Sequence, residues 1–198
     1  MTKCEEPDPF TRACELVGRF LYYFSRVELQ LDDAITKLFK LDANTAPIVT
    51  ANIDFFKKLN IVQTAVNHQQ RAKPGGLLSV DTDETFKGIA SVNNYRQVVA
   101  HSAFEPAPTG GVKFKRTIAK GTLQHEDPHW TETDFETRFS SLQRLETDLR
   151  GIVGEIEPDR VDWPIASRFL GLPAHLIPFS GDEWLGSPRV LLEPSQKK

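Results

Sequence analysis

The chain has 198 residues, of which 39% are apolar and 26% charged, with a formal net charge of −3. That length supports one sizeable core plus a tail, and the balance is that of an ordinary globular protein. A protein coating nucleic acid without sequence preference is usually more basic, whereas one that touches RNA at a single cleft need not be. Cys4 and Cys14 make neither a disulfide framework nor a CxxC pair, which fits a reducing, cytoplasmic setting. The start MTKCEEPDPF lacks the apolar stretch of a secretory signal, and no segment has the apolar run of a membrane span.

The first predicted helix runs from about Thr11 to Lys40. Val17, Phe20, Leu21, Phe24, Val27, Leu31, Ile35 and Leu38 recur at steps of three and four and so share one face, with Glu28, Asp32 and Asp33 beside it. The second runs from about Ile53 to Gln70, with Ile53, Phe56, Leu59, Val62, Ala65 and Val66 on its apolar face and Asn52 as N-cap. RAKPGG stops it, and Gly75-Gly76 is a turn rather than a phosphate loop. The third begins near Asp81, where Asp81 and Glu84 resemble a capping box, and it runs on to Pro106 and Pro108. The period then changes. Val112, Phe114 and Ile118 alternate with polar residues, Lys120-Gly121 signals a turn, and Thr122 to His125 supplies a return strand. The fourth helix is expected from Thr133, capped with Glu136, and it carries Phe135, Phe139, Leu142, Leu145, Leu149, Ile152 and Ile156.

The expected fold is all-α. It is a four-helix up-and-down bundle over residues 1–157, with a short β-hairpin between the third and fourth helices. Residues 158–198 form an irregular extension rich in Pro and Gly. Phe169, Leu170, Leu172, Leu176, Ile177, Trp184 and Leu191 suit it to packing on the bundle or a dimer mate.

The segment that carries chemistry is NNYRQVVAHSAFEP, residues 93–106, with Arg96 five residues before His101. An imidazole titrates near neutrality and can move the proton of a 2′-hydroxyl or of a leaving oxygen. A guanidinium stays charged and can grip a phosphate with two N–H groups as charge builds. Together they suffice for RNA cleavage that leaves a 2′,3′-cyclic phosphate. The bland reading places His101 at the C-terminal end of its helix, where positive charge is welcome, with Arg96 a surface residue.

Arg-Gln-Val-Val-Ala-His late in the third helix, a Phe-x-Pro exit, a hairpin and a Thr-capped fourth helix together resemble the HEPN superfamily, whose signature is Arg-x(4–6)-His. The long opening helix with GRFLYYFSRVELQLDDAITKLF is similar too, so the resemblance covers about residues 10–156. It implies a homodimer with a composite cleft, Arg96 binding phosphate and His101 acting as acid and base. The family often has Asn directly after the arginine. Here Gln97 stands there, and Asn93, Asn94 and Tyr95 are supporting candidates. The resemblance implies RNA as substrate, no cofactor and no metal. It also implies a role as toxin or defence effector, with a nucleotidyltransferase-type antitoxin as partner. The alternative it allows is a non-catalytic dimeric interaction or nucleotide-binding module.

Five residues of ideal helix turn by about 500°, so Arg96 and His101 point about 140° apart. Either the length of Arg96 and a loosening of the helix before Pro106 bring them together, or the site lies where two copies of this helix cross. Weaker candidates are His125, Asp127 and His129 as metal ligands, a basic hairpin face of Lys113, Lys115, Arg116 and Lys120, and Glu28, Asp32 or Asp33 as orienters of His101.

Overall fold

The computed structural model describes residues 8–72, 81–120 and 122–157. They form five helices and a small antiparallel sheet: α1 (Pro9–Leu38), α2 (Thr45–Ala51), α3 (Phe55–Ala72), α4 (Thr82–His101), β1 (Ala103–Pro106), β2 (Val112–Lys120), β3 (Thr122–Glu126), β4 (His129–Trp130) and α5 (Glu132–Glu155). The protein is thus mostly helical. The expected extension over 158–198 lies outside the described residues.

α1 starts where Asp8 accepts hydrogen bonds from the Phe10 and Thr11 amides and Pro9 occupies the first turn. Leu16, Phe20, Val27, Leu31 and Ile35 are fully enclosed, and α1 packs against α3, α4 and α5. Leu21, expected on that buried face, is instead exposed. It sits at the margin of the stripe.

The chain path departs from an up-and-down course between the first two long helices. Arg12 pairs with Glu132, Arg26 with Glu146, and the Lys37 ammonium with the Val153 carbonyl, so α1 and α5 advance together. Phe24 meets Phe55, and one turn on Lys58 meets Glu28 and Asp32, so α3 also advances with α1. The short helix α2, which the periodicity did not announce, lies in the connection that makes this possible. Among the described long helices α4 alone runs the other way: Glu84 reaches Arg144 while Tyr95 reaches Trp130.

Several boundaries move for local reasons. Asp54, not Asn52, caps α3, accepting from the Lys57 amide at 3.0 Å. α4 ends at His101 rather than at Pro106, because Ser102 is extended and Ala103 to Pro106 pair with β2. The capping box of α5 is Thr131 with Asp134, not Thr133 with Glu136. Buried Trp130 fixes that choice by anchoring β4 directly before the helix.

The hairpin is present, and β1 and β4 extend it. β2 pairs β1 with Phe104 opposite Phe114, β3 with Thr117 opposite His125, and β4 with Val112 opposite Trp130. Val112 and Phe114 enter the core under Trp130. Gly111 has φ +86° and a Cβ there would lie 2.1 Å from the Trp130 carbonyl oxygen, so only glycine fits that turn.

Candidate functional site

The Asn93–His101 segment spans the last turns of α4. Asp81 caps that helix by accepting from the Glu84 amide. Gly88 lets it close on α5, since a Cβ there would stand 2.8 Å from a Leu145 methyl group. The segment's residues divide between core and surface. Asn93 is buried, Tyr95, Arg96 and Gln97 are half-buried, and Asn94 and His101 are exposed.

Tyr95 has a structural environment. Its ring lies edge-on to Trp130 at 5.7 Å, and the Arg138 guanidinium covers both rings, at 4.7 and 4.2 Å. Arg138 donates to the Asp134 carbonyl at 2.8 Å. This clamp joins α4, β4 and α5 and holds the backbone immediately before Arg96.

The Arg96 guanidinium lies 5.9 Å from the centre of the Phe24 ring on α1. Arg12, Arg19, Arg26, Arg116, Arg138, Arg144 and Arg150 each face a carboxylate. Among the described residues Arg96 has no such partner. His101 is the last residue of α4, exposed, and without a hydrogen-bonded partner among the described residues. Its position at the negative end of the helix is also what a merely stabilising histidine would occupy. The helix is continuous between the two residues, so one chain keeps their side chains about 140° apart around its axis.

Two of the three carboxylates considered as orienters of His101 are engaged elsewhere, and the third, Asp33, is exposed. Glu28 and Asp32 hold the Lys58 ammonium at 3.1 and 2.7 Å, and Lys58 is 4% exposed. Burial opposes the Lys58 charge, yet the two carboxylates outweigh it and raise its pKa. Burial raises that of Asp32. This triad was missed in the sequence, although Lys58 stands within the apolar stripe Phe55-Leu59-Val62 and faces acids spaced four apart.

The hairpin is electrically balanced where its side chains are described: Lys113 pairs with Asp127, Lys115 with Glu105 and Arg116 with Glu126. The face expected to be basic is therefore largely neutralised. The HEDPH residues are also separately engaged. His125 meets the Thr117 hydroxyl, His129 meets the Gly110 carbonyl, and Asp127 meets Lys113. Among the described residues no three His, Cys, Asp or Glu side chains converge as a ligand set, and no helix is long and apolar enough to cross a membrane.

Compared with protein-family models, curated proteins and solved structures, the chain matches none.

Proposed function

We propose that this chain is a HEPN-type endoribonuclease that cleaves RNA without a metal, as a cytoplasmic homodimer whose four long helices make up the bundle. The observation that carries this reading is the pairing, near the end of one helix, of an arginine with no carboxylate partner among the described residues and an exposed histidine. The 2′-hydroxyl attacks its own phosphorus as the imidazole of His101 takes the proton. The 5′-oxygen leaves, protonated by an acid in the same cleft, and a 2′,3′-cyclic phosphate remains. Arg96 holds the non-bridging oxygens as charge accumulates. Because the two side chains diverge within one chain, the working pair is Arg96 of one subunit and His101 of the other.

One observation favours a second reading, a non-catalytic dimeric module. Arg96 rests over Phe24, so its stem and charge also serve the α1–α4 contact. Cleavage of a labelled single-stranded RNA separates the two. Arg96→Ala and His101→Ala should each abolish cleavage with helical content unchanged, and the parent should retain activity in EDTA. Arg96→Lys should also be impaired, since a point charge does not reproduce the two-pronged grip. An inactive parent, or one silenced by EDTA, overturns the ribonuclease reading. In a cell the same reading makes the chain a toxin or defence effector, and a nucleotidyltransferase-type antitoxin would be encoded beside it.

A further inference from the structure

The outward face of α1 is not that of an ordinary surface helix. Phe10, Cys14, Gly18, Leu21, Ser25 and Leu29 recur at steps of four and three, and all six are exposed. Tyr22, beside Leu21, is 60% exposed. The strip carries no charge, because the charges of α1 lie to either side of it. Arg12, Arg19 and Arg26 each pair with a glutamate of α5, while Glu28 and Asp32 hold Lys58 of α3. α3 begins only beside Phe24, where Phe55 packs and Phe56, expected on the buried face, is left 42% exposed. The N-terminal half of α1 therefore extends past the start of α3. A Cβ on Gly18 would meet nothing within 4 Å. A solvated helix face of this length normally carries charged side chains, and an uncharged apolar one marks a surface that something covers.

The sequence supplies an occupant. The described residues end at Glu157, whose amide donates to the Gln69 side chain and whose carbonyl accepts from it, near the end of α3. Twelve residues further on lies FLGLPAHLIPFS, residues 169–180, with six large apolar side chains and no Asp, Glu, Lys or Arg. Twelve extended residues span up to about 40 Å, whereas α3 measures about 21 Å from Gln69 back to Phe55. The stretch therefore reaches the α1 strip with length to spare, and docking there buries no charge on either side. A segment tethered in this way acts at roughly millimolar effective concentration, which a second copy at micromolar concentration does not match.

We infer that residues 169–180 dock on the outward strip of α1, so that the chain covers its own apolar face. The inference stands apart from the ribonuclease reading. Its test uses the full chain with Cys4→Ser, which leaves Cys14, in the middle of the strip, as the one thiol. The rate at which Ellman's reagent modifies Cys14 then reports whether the strip is covered. The folded protein should react at least about tenfold more slowly than the same protein in urea, corresponding to a docked population of about nine-tenths. Phe169→Ser with Ile177→Ser should remove that protection with helical content unchanged, whereas Leu191→Ser, outside the stretch, should not. Placing a second thiol by Leu172→Cys or Leu176→Cys should give, on mild oxidation, a disulfide to Cys14 within one chain. Reaction of the folded parent as fast as in urea overturns the inference. So does protection that survives the double substitution, or that fades on dilution and so comes from a second copy. If the double variant does not fold, the oxidation decides alone: absence of an intrachain disulfide from both thiol variants overturns the docking.

Discussion

At the scale of single residues, the most consequential group is Lys58. A buried ammonium facing two carboxylates is stable only while both halves are present, because removing one leaves charge in a poorly solvated place. Glu28 and Asp32 keep 35% and 25% of their side-chain surface, which moderates the cost. Lys58→Met should therefore destabilise the fold by about 2 kcal/mol at neutral pH, below the range for fully buried pairs. Burial already raises the pKa of Asp32, and without Lys58 it rises further. The deficit should shrink as pH falls and Asp32 takes up a proton. Urea denaturation at neutral and mildly acidic pH checks this, and adding Asp32→Asn should restore part of the loss. An undiminished fold in Lys58→Met would mean that the triad contributes nothing. The components of this triad were visible in the sequence as unexplained charges, but their meeting was not, because it depends on α3 running alongside α1. The same holds for Phe55 and Phe56. Both are three or four residues from Leu59, so periodicity could not choose between them, and contact with Phe24 decided.

At the scale of elements, helix starts are governed by carboxylates at or beside their caps. The Thr11 hydroxyl and amide hold Asp8 below the ordinary value of 3.8, the Lys57 amide does so for Asp54, and the Thr131 amide and hydroxyl for Asp134. Arg12 lowers Glu132 in the first turn of α5. In each case the unfolded chain binds its proton first as pH falls. Their contribution is therefore fully present above the ordinary carboxylate values and is lost as pH drops through the lower folded-state values. The Thr45 hydroxyl lowers Asp42 before α2 in the same way, so Asp32, which has the opposite sign because it is easier to protonate when folded, stands against five. Stability should thus decline through the acid range, and Asp134→Asn should make that decline shallower than in the parent. Thermal melts between neutral pH and the acid limb measure it, and parallel curves would exclude the cap as the source. The long helices and the hairpin could be read directly from apolar spacing, as could the Asp81 cap. α2 could not, because seven residues with Ile48 exposed leave no stripe. Between Thr131 and Thr133, both followed three residues on by an acid, only the anchoring of Trp130 selects the helix start.

At the scale of the whole molecule, the order of the long helices and the hairpin was legible but the path was not, since periodicity carries no information on whether two helices run together or opposed. The same limit applies to the site. Sequence spacing places Arg96 and His101 about 140° apart, and the uninterrupted α4 leaves them so, which makes the arrangement of copies the decisive variable. If Arg96 of one subunit works with His101 of the other, the two inactive variants should rescue each other. In a mixed dimer, one cleft receives both substitutions and is dead, while the other receives an intact Arg96 from one chain and an intact His101 from its mate. Random pairing of equal amounts then restores about one quarter of the wild-type sites. If both residues of a site came from the same chain, every site in the mixture would carry one defect and no activity would return. Co-refolding Arg96→Ala with His101→Ala and measuring RNA cleavage decides between these outcomes. Sedimentation of each variant verifies that dimers form, and a stable monomer at micromolar concentration would remove the shared-site mechanism before any assay is run.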